Sequence, residues 1–395
     1  MLPMHDSNVT VRANFQRNCS RIGCTLAWPR AMLRTDFSTP AIANDRNPEP
    51  LPAVPSNEFT QLIELQRIVE AGGAHFDTRV VCEIDVLDRR FPVHVITMGT
   101  RSPHAPAIGF FGGYHGLERI GAEVVLAHLQ NIAMRLKWDS TLHGLLESVR
   151  LVFMPLVNPG GIWQGTRANA NGVDLMRNAP VQSSEKVPYM LGGQRISRRL
   201  PWYRGIEGEA MEAENRAVCA VVEAELLSRP FSVSVDCHSG FGASDRIWFP
   251  YAHTREPIAH LVEMHALMEI FGETHCNHRY IFEPQSRQYL AHGDVWDYLY
   301  QQSLASTERI FLPLTLEMGS WIWVKKNPRQ LFSRDGMFNP HIVHRQQRVL
   351  RRHVPLLDFF ARATGSYQRW LPLEIHREQH RRRAMQAWYT PAAVK

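Results

Sequence analysis

His115 and Glu118 stand three residues apart in "GGYHGLERIGAEVVLAHL", residues 112–129, where a glycine-rich turn leads into a helical pattern. An imidazole nitrogen and a carboxylate oxygen are both good zinc donors, and a catalytic zinc takes three protein ligands while keeping one position open for water. A third donor is available in His238, at the end of the apolar run "FSVSVDCHSG". Read singly, each residue has an ordinary explanation: a turn histidine bonded to backbone, a first-turn acid favoured by the helix dipole, a satisfied strand-end histidine. Read together and in this order, they point to a metal. Cys237 is adjacent to His238, so on a strand its side chain points to the opposite face. Asp236 is expected on the face opposite the ligand histidine, in a structural or supporting role. The rival cluster "THCNH", with His275, Cys276 and His278, follows no strand, and surface histidines are expected there.

The elements that must position these residues are legible from hydrophobic patterning. "PAIGFFGG", "VRLVFMPLVNPGG", "FSVSVDCHSG" and "FLPLTLEMGS" are short apolar runs, as expected of strands buried on both faces. "TRVVCEIDVL" and "FPVHVITMG" flank "DRR" and predict a hairpin or two adjacent strands. Residues 122–137 and 212–227 predict helices, and "HIVHRQQRVLRRHVPLLDFFARATG" a C-terminal helix kinked or broken at Pro355. Helices alternating with buried strands argue for an open, largely parallel sheet, in which functional groups gather at the carboxyl ends of strands. The four apolar runs lead to chemistry: His115 and Glu118 after the first, Asn158, Arg167 and Arg177 after the second, Asp236, Cys237 and His238 in the third, Glu317 in the fourth. Arg167 and Arg177 lie in a polar loop after a buried strand, where Asp174 can pair with either. Trp248, Trp321 and Trp323 are candidates for lining a pocket.

A chain of 395 residues, 44% hydrophobic, suits one large α/β domain with extensions. The boundaries read as an N-terminal extension with a proline-rich linker over 1–57, a catalytic domain over 58–365 and a basic tail over 366–395. No apolar run of about eighteen residues occurs, so no membrane span is expected. Neither is a secretory signal, and the six scattered cysteines predict a reducing, cytoplasmic setting. The net charge of +6 is local: residues 341–395 carry 11 Lys and Arg against 3 Asp and Glu. No nucleic-acid-binding motif accompanies this tail, so a nucleic-acid partner is not expected.

"GGYHGLE", "NPGG", "TRANANGVDLMRN", "VDCHSG" and "LTLEMG", in this order, resemble the M14 zinc carboxypeptidases over roughly residues 90–320. The resemblance implies an α/β fold with a mixed, largely parallel eight-stranded sheet and helices on both faces. It implies one zinc per chain on His115, Glu118 and His238, with Glu317 as the catalytic glutamate. By the same resemblance Arg167 polarises the scissile carbonyl, Arg177 binds the substrate's terminal carboxylate, and Tyr289 is the family's mobile tyrosine. The family usually reads "NRN" where this chain reads "MRN"; Met176 cannot donate the hydrogen bond an asparagine gives to that carboxylate. Trp296 falls near the family's specificity position and suggests a filled pocket. The implied substrate is a peptide with a free carboxylate. The alternative is a small acyl-amino-acid substrate, cut by a deacylase resembling aspartoacylase and succinylglutamate desuccinylase. A non-catalytic scaffold is disfavoured by retention of all three ligand types with Glu317.

Overall fold

Hydrophobic runs too apolar for a half-exposed strand make the centre of the fold. In the computed structural model, which describes residues 59–390, they become β3 (Ala107–Gly112), β4 (Arg150–Met154), β5 (Phe231–Ser239) and β8 (Ile310–Met318). Every residue of β3, β4 and β5 is buried, which explains the absence of alternation in their sequences. The hairpin expected around "DRR" forms as β1 (Asp77–Val86) and β2 (Arg89–Gly99). With β6 (Arg246–Phe249) and β7 (Ile281–Pro284) these make one eight-stranded sheet, in the order β1-β2-β4-β3-β5-β8-β6-β7. The central pairs β4–β3, β3–β5 and β5–β8 are parallel; β1–β2, β2–β4 and β8–β6 are antiparallel. The sheet is therefore mixed, with its parallel part in the middle.

The helices are α1 (Thr60–Gly72), α2 (Arg119–Arg135), α3 (Ser140–Ser148), α4 (Pro159–Gln164), α5 (Ala213–Val222) and α6 (Leu261–Thr274). They continue as α7 (Val295–Ser303), α8 (Trp321–Lys326), α9 (Val343–Gly365), α10 (Tyr367–Trp370) and α11 (Glu374–Ala384). They cover both faces of the sheet. Phe110 meets His128 of α2 with ring centroids 4.9 Å apart, whereas Phe111 meets Trp296 of α7, also at 4.9 Å. Neighbouring strand residues point to opposite faces, so α2 and α7 lie on opposite sides.

Two expectations are modified. The helix predicted over 212–227 is α-helical only to Val222 and finishes as a π-helical turn, Glu223–Leu227. Of the kink or break expected at Pro355, the break does not occur: α9 runs through it. A proline inside a helix removes one backbone bond, but Val349, Leu356, Leu357 and Phe360 are buried as α9 packs on α2, β3 and β5. Burying each such side chain contributes about 1.5–3 kcal/mol, enough together to offset a proline cost of about 3 kcal/mol.

Beyond α9 the described residues form α10, α11 and a π-helical turn at Met385–Tyr389. It packs along α6: Arg377 reaches Glu263 at 2.7 Å, and the buried Trp388 sits 4.7 Å from Phe249. The predicted N-terminal extension, 1–57, lies outside the described residues. No helix among the described residues is long and apolar enough to cross a membrane.

Candidate active site

Strand order places the chemistry. β3, β5 and β8 are consecutive neighbours, so their carboxyl ends open side by side. His238 and Glu317 are register partners across β5 and β8, and side chains of paired residues share a face. β3 ends at Gly112; the chain turns through Gly113 at φ 70°, which favours glycine, and delivers His115 and Glu118 at the start of α2. Gly121 lets α2 approach β5 closely, since a Cβ there would lie 2.1 Å from the Cys237 carbonyl oxygen. That contact brings Glu118 to His238.

Glu118 is the hub. Its Oε2 lies 3.1 Å from His238 Nδ1 and accepts from the Ser239 backbone N–H at 3.0 Å; its Oε1 accepts from Arg167 Nη1 at 3.1 Å. His115 Nε2 lies 2.8 Å from Arg167 Nη2, and its Nδ1, 3.8 Å from Asp174, is buried without a hydrogen bond. Arg167 is anchored through Nε to Asp174 at 2.9 Å, and Asp174 also caps the turn carrying Met176 and Arg177. One donor atom from each of His115, Glu118 and His238 lies within 4.8 Å of the others. Two imidazoles, one carboxylate and an orphaned buried nitrogen fit a zinc ion.

The charges are set by burial and by each other. Burial raises the Glu118 carboxyl, but His115, His238 and Arg167 outweigh it and hold the group at about 2. Burial, with Arg167 beside it, takes His115 well below the ordinary imidazole value. Burial lowers His238 too, but Asp236 and Glu118 more than compensate and the net shift is upward. Burial and the nearby Glu118 raise Glu317 to about 8.

A cleft of about 390 Å³ opens over this cluster. It is lined by the eight residues to which the family resemblance gives a site position: His115, Glu118, Arg167, Met176, Arg177, His238, Tyr289 and Glu317. Glu317 accepts from the Phe241 backbone N–H at 3.0 Å. Arg177 is fully buried; Nε and Nη1 donate to the Leu191 and Met176 carbonyls at 3.2 and 3.0 Å, while Nη2 has no partner. Tyr289 lies 5.9 Å below its guanidinium. Phe241, Trp248 and Trp321 form an aromatic wall; Trp323 is outside it.

Two expectations are corrected. Asp236 is not on the face opposite His238: residues two apart on a strand share a face, and Asp236 Oδ2 lies 2.6 Å from His238 Nε2. Trp296 does not fill the cleft; it is buried on the sheet and donates from Nε1 to Asp236 Oδ2 at 2.9 Å. Asp236 thus takes the Nε2 proton of His238 and orients the ring with Nδ1 towards Glu118, so that Nδ1 is the nitrogen that would face a bound metal. Cys237 is buried, as alternation requires. His275, Cys276 and His278 form no donor cluster, and His275 stacks on Phe271 at 5.1 Å.

Asp294 went unread in the sequence. Its Oδ1 caps α7, accepting from the Trp296 and Asp297 backbone N–H groups, while Oδ2 is buried without a partner at the cleft. Burial and Asp297 raise its carboxyl to about 7. The signal available was "HGDVW", an aspartate just before a helical pattern, which marks a cap but not a cleft.

A family model described as zinc carboxypeptidase matches residues 86–321, more than half of the chain. Among curated proteins, carboxypeptidase SOL1 of Arabidopsis thaliana is 37% identical over 95 residues, covering 23% of this chain and 19% of that protein. Carboxypeptidase D of Anas platyrhynchos is 25% identical over 182 residues, covering 44% of this chain and 11% of that protein. The matches thus span a fifth or less of these relatives' length. Among solved structures, thrombin activatable fibrinolysis inhibitor superposes with a TM-score of 0.56 at 17% identity, over 76% of this chain and 72% of that one. Carboxypeptidase A from Helicoverpa armigera gives 0.55 at 14% identity, over 76% and 71%. Both show the same fold.

Proposed function

The chain belongs to the M14 zinc carboxypeptidase family, and we propose that it is a zinc-dependent peptidase that removes a residue from the free C-terminus of a peptide. The observation that carries this reading is the convergence of His115, Glu118 and His238 on one point, with Glu317 the register partner of His238. A zinc ion held by those three side chains supplies Lewis acidity, bringing water to a pKa of about 7 and stabilising negative charge on an attacked carbonyl. We assign one zinc to this site.

The chain's own groups do the rest. Glu317 stands outside the ligand set at the cleft, where it takes a proton from the attacking water and returns it to the leaving amine. Arg167 is pinned by Asp174 through Nε and directs both Nη atoms at the ligand set, where they meet a carbonyl oxygen as it gains charge. Arg177 offers a buried, unpaired Nη2, a preformed donor for the substrate carboxylate. Met176 contributes only its backbone carbonyl to orient Arg177, so terminal recognition rests on the arginine. The aromatic wall and Tyr289 exclude water from a bound side chain.

The family match favours a peptidase over an acyl-amino-acid deacylase. Cytoplasmic residence is part of the proposal and is supported by Cys82, Cys219, Cys237 and Cys276 being free. The test is a panel of peptides with free and amidated C-termini beside N-acyl amino acids. Release of the C-terminal residue from free peptides only is expected; equal cleavage of amidated peptides, or hydrolysis of N-acyl amino acids alone, overturns the reading.

A further inference from the structure

A second donor cluster lies outside the cleft, on α6 and α11. His265 and Glu269, four residues apart, share one face of α6. His380 of α11 completes the group. His265 Nδ1 and His380 Nδ1 are 3.0 Å apart; Glu269 Oε2 lies 3.5 Å from the second and 3.9 Å from the first. The circle through these three atoms has a radius of about 2.0 Å, the length of a zinc–nitrogen or zinc–oxygen bond. We propose that His265, Glu269 and His380 bind a second, structural zinc ion that clips the C-terminal helix to α6.

Two features support a cation over a plain imidazole pair. One N–H between the two Nδ1 atoms satisfies both, yet leaves Glu269 Oε2 at or beyond hydrogen-bond length from each. Arg383 Nη1 binds the other carboxylate oxygen, Oε1, at 2.9 Å, so the carboxylate is held with Oε2 turned to the histidines. His265 is buried, whereas Glu269 and His380 are partly exposed, which gives an entry path and room for a solvent ligand. The clip also bears on the cleft. Beyond α11, Trp388 Nε1 donates to the Phe282 carbonyl at 2.8 Å, and Arg287 donates to the Ala387 carbonyl at 2.5 Å. The segment so held, 281–289, carries Tyr289.

The test strips the full-length protein of metal and titrates it with zinc, read by native mass spectrometry and thermal melting. The wild type is expected to take up two zinc ions, and its melting temperature to rise with the second. H380A is expected to stop at one and to lose that rise. E269Q keeps the shape of the carboxylate without its charge and carries the same expectation, deciding the matter should H380A fold poorly. H376A, at an exposed position of α11, is expected to keep two. A wild type that binds only one zinc, lost in H238A, or an H380A and an E269Q that both retain two, overturns this site. Loss of the first ion in H238A with retention of the second reports on the cleft alone.

Discussion

Asp236→Asn isolates what one carboxylate contributes to the zinc site without changing its shape. Asp236 Oδ2 receives both His238 Nε2, at 2.6 Å, and Trp296 Nε1, at 2.9 Å, while Oδ1 is buried without a partner. An asparagine with its oxygen in the Oδ2 position keeps both bonds and places its amide nitrogen where no acceptor waits. What disappears is the negative charge. A hydrogen bond to a charged group contributes about 1.5–3 kcal/mol against about 0.5–1.5 for a neutral one, so the loss is about 1–1.5 kcal/mol, with a further penalty for the unmet amide. The charge also makes the Nδ1 lone pair of His238 more basic, and losing such a partner lowers metal affinity about 10–100-fold. That corresponds to about 1.4–2.7 kcal/mol. Competition against a calibrated zinc chelator at pH 7 measures it directly, with melting temperature as a control for folding. Zinc affinity within twofold of the wild type, in a folded variant, refutes the argument that Asp236 tunes His238.

Glu317→Gln is expected to keep zinc and lose turnover by about 10²–10⁴-fold, read as kcat on a free peptide with metal content measured on the same sample. Arg177→Met is expected to lower kcat/KM on free C-termini by about 10²-fold and to leave amidated peptides little changed, because orientation by the carboxylate is lost; equal effects on both substrates speak against the assignment. Burial, with Glu212 beside it, raises Glu214 to about 7 from 4.5. The folded state therefore keeps a proton that the unfolded state releases, so this group's stabilisation is full below pH 4.5 and lost as pH rises through 7. Glu214→Gln is expected to be more stable than wild type at pH 8, by up to about 3 kcal/mol, and equal near pH 4; urea unfolding at the two pH values checks the sign.

The helices and strands around the cleft were legible because their signals are local. Buried strands announce themselves as short unbroken apolar runs, and "PAIGFFGG" and "FSVSVDCHSG" became β3 and β5 with every strand residue buried. His115 and Glu118 were legible because both sit on one turn, and His238, Arg167, Arg177 and Glu317 because each follows or ends such a run. Asp236 was misplaced although two-residue periodicity was available to place it. Pro355 was legible only in part: local propensity favours a kink or a break there, and the packing of α9 against α2, β3 and β5 carries the helix through without a break.

The amino-acid sequence alone determined which residues could bind a metal, which segments would be buried, and the order in which they meet along the chain. Tertiary structure alone decided who stands beside whom. The register pairing of His238 with Glu317, the Trp296 indole on Asp236, the unpaired Nη2 of Arg177 and the meeting of His380 with His265 all join residues from different elements. Spacing along a chain fixes direction within one helix or strand. Contacts between elements are set by strand order and by close approaches such as Gly121 on Cys237, which depend on how all the buried surfaces fit at once.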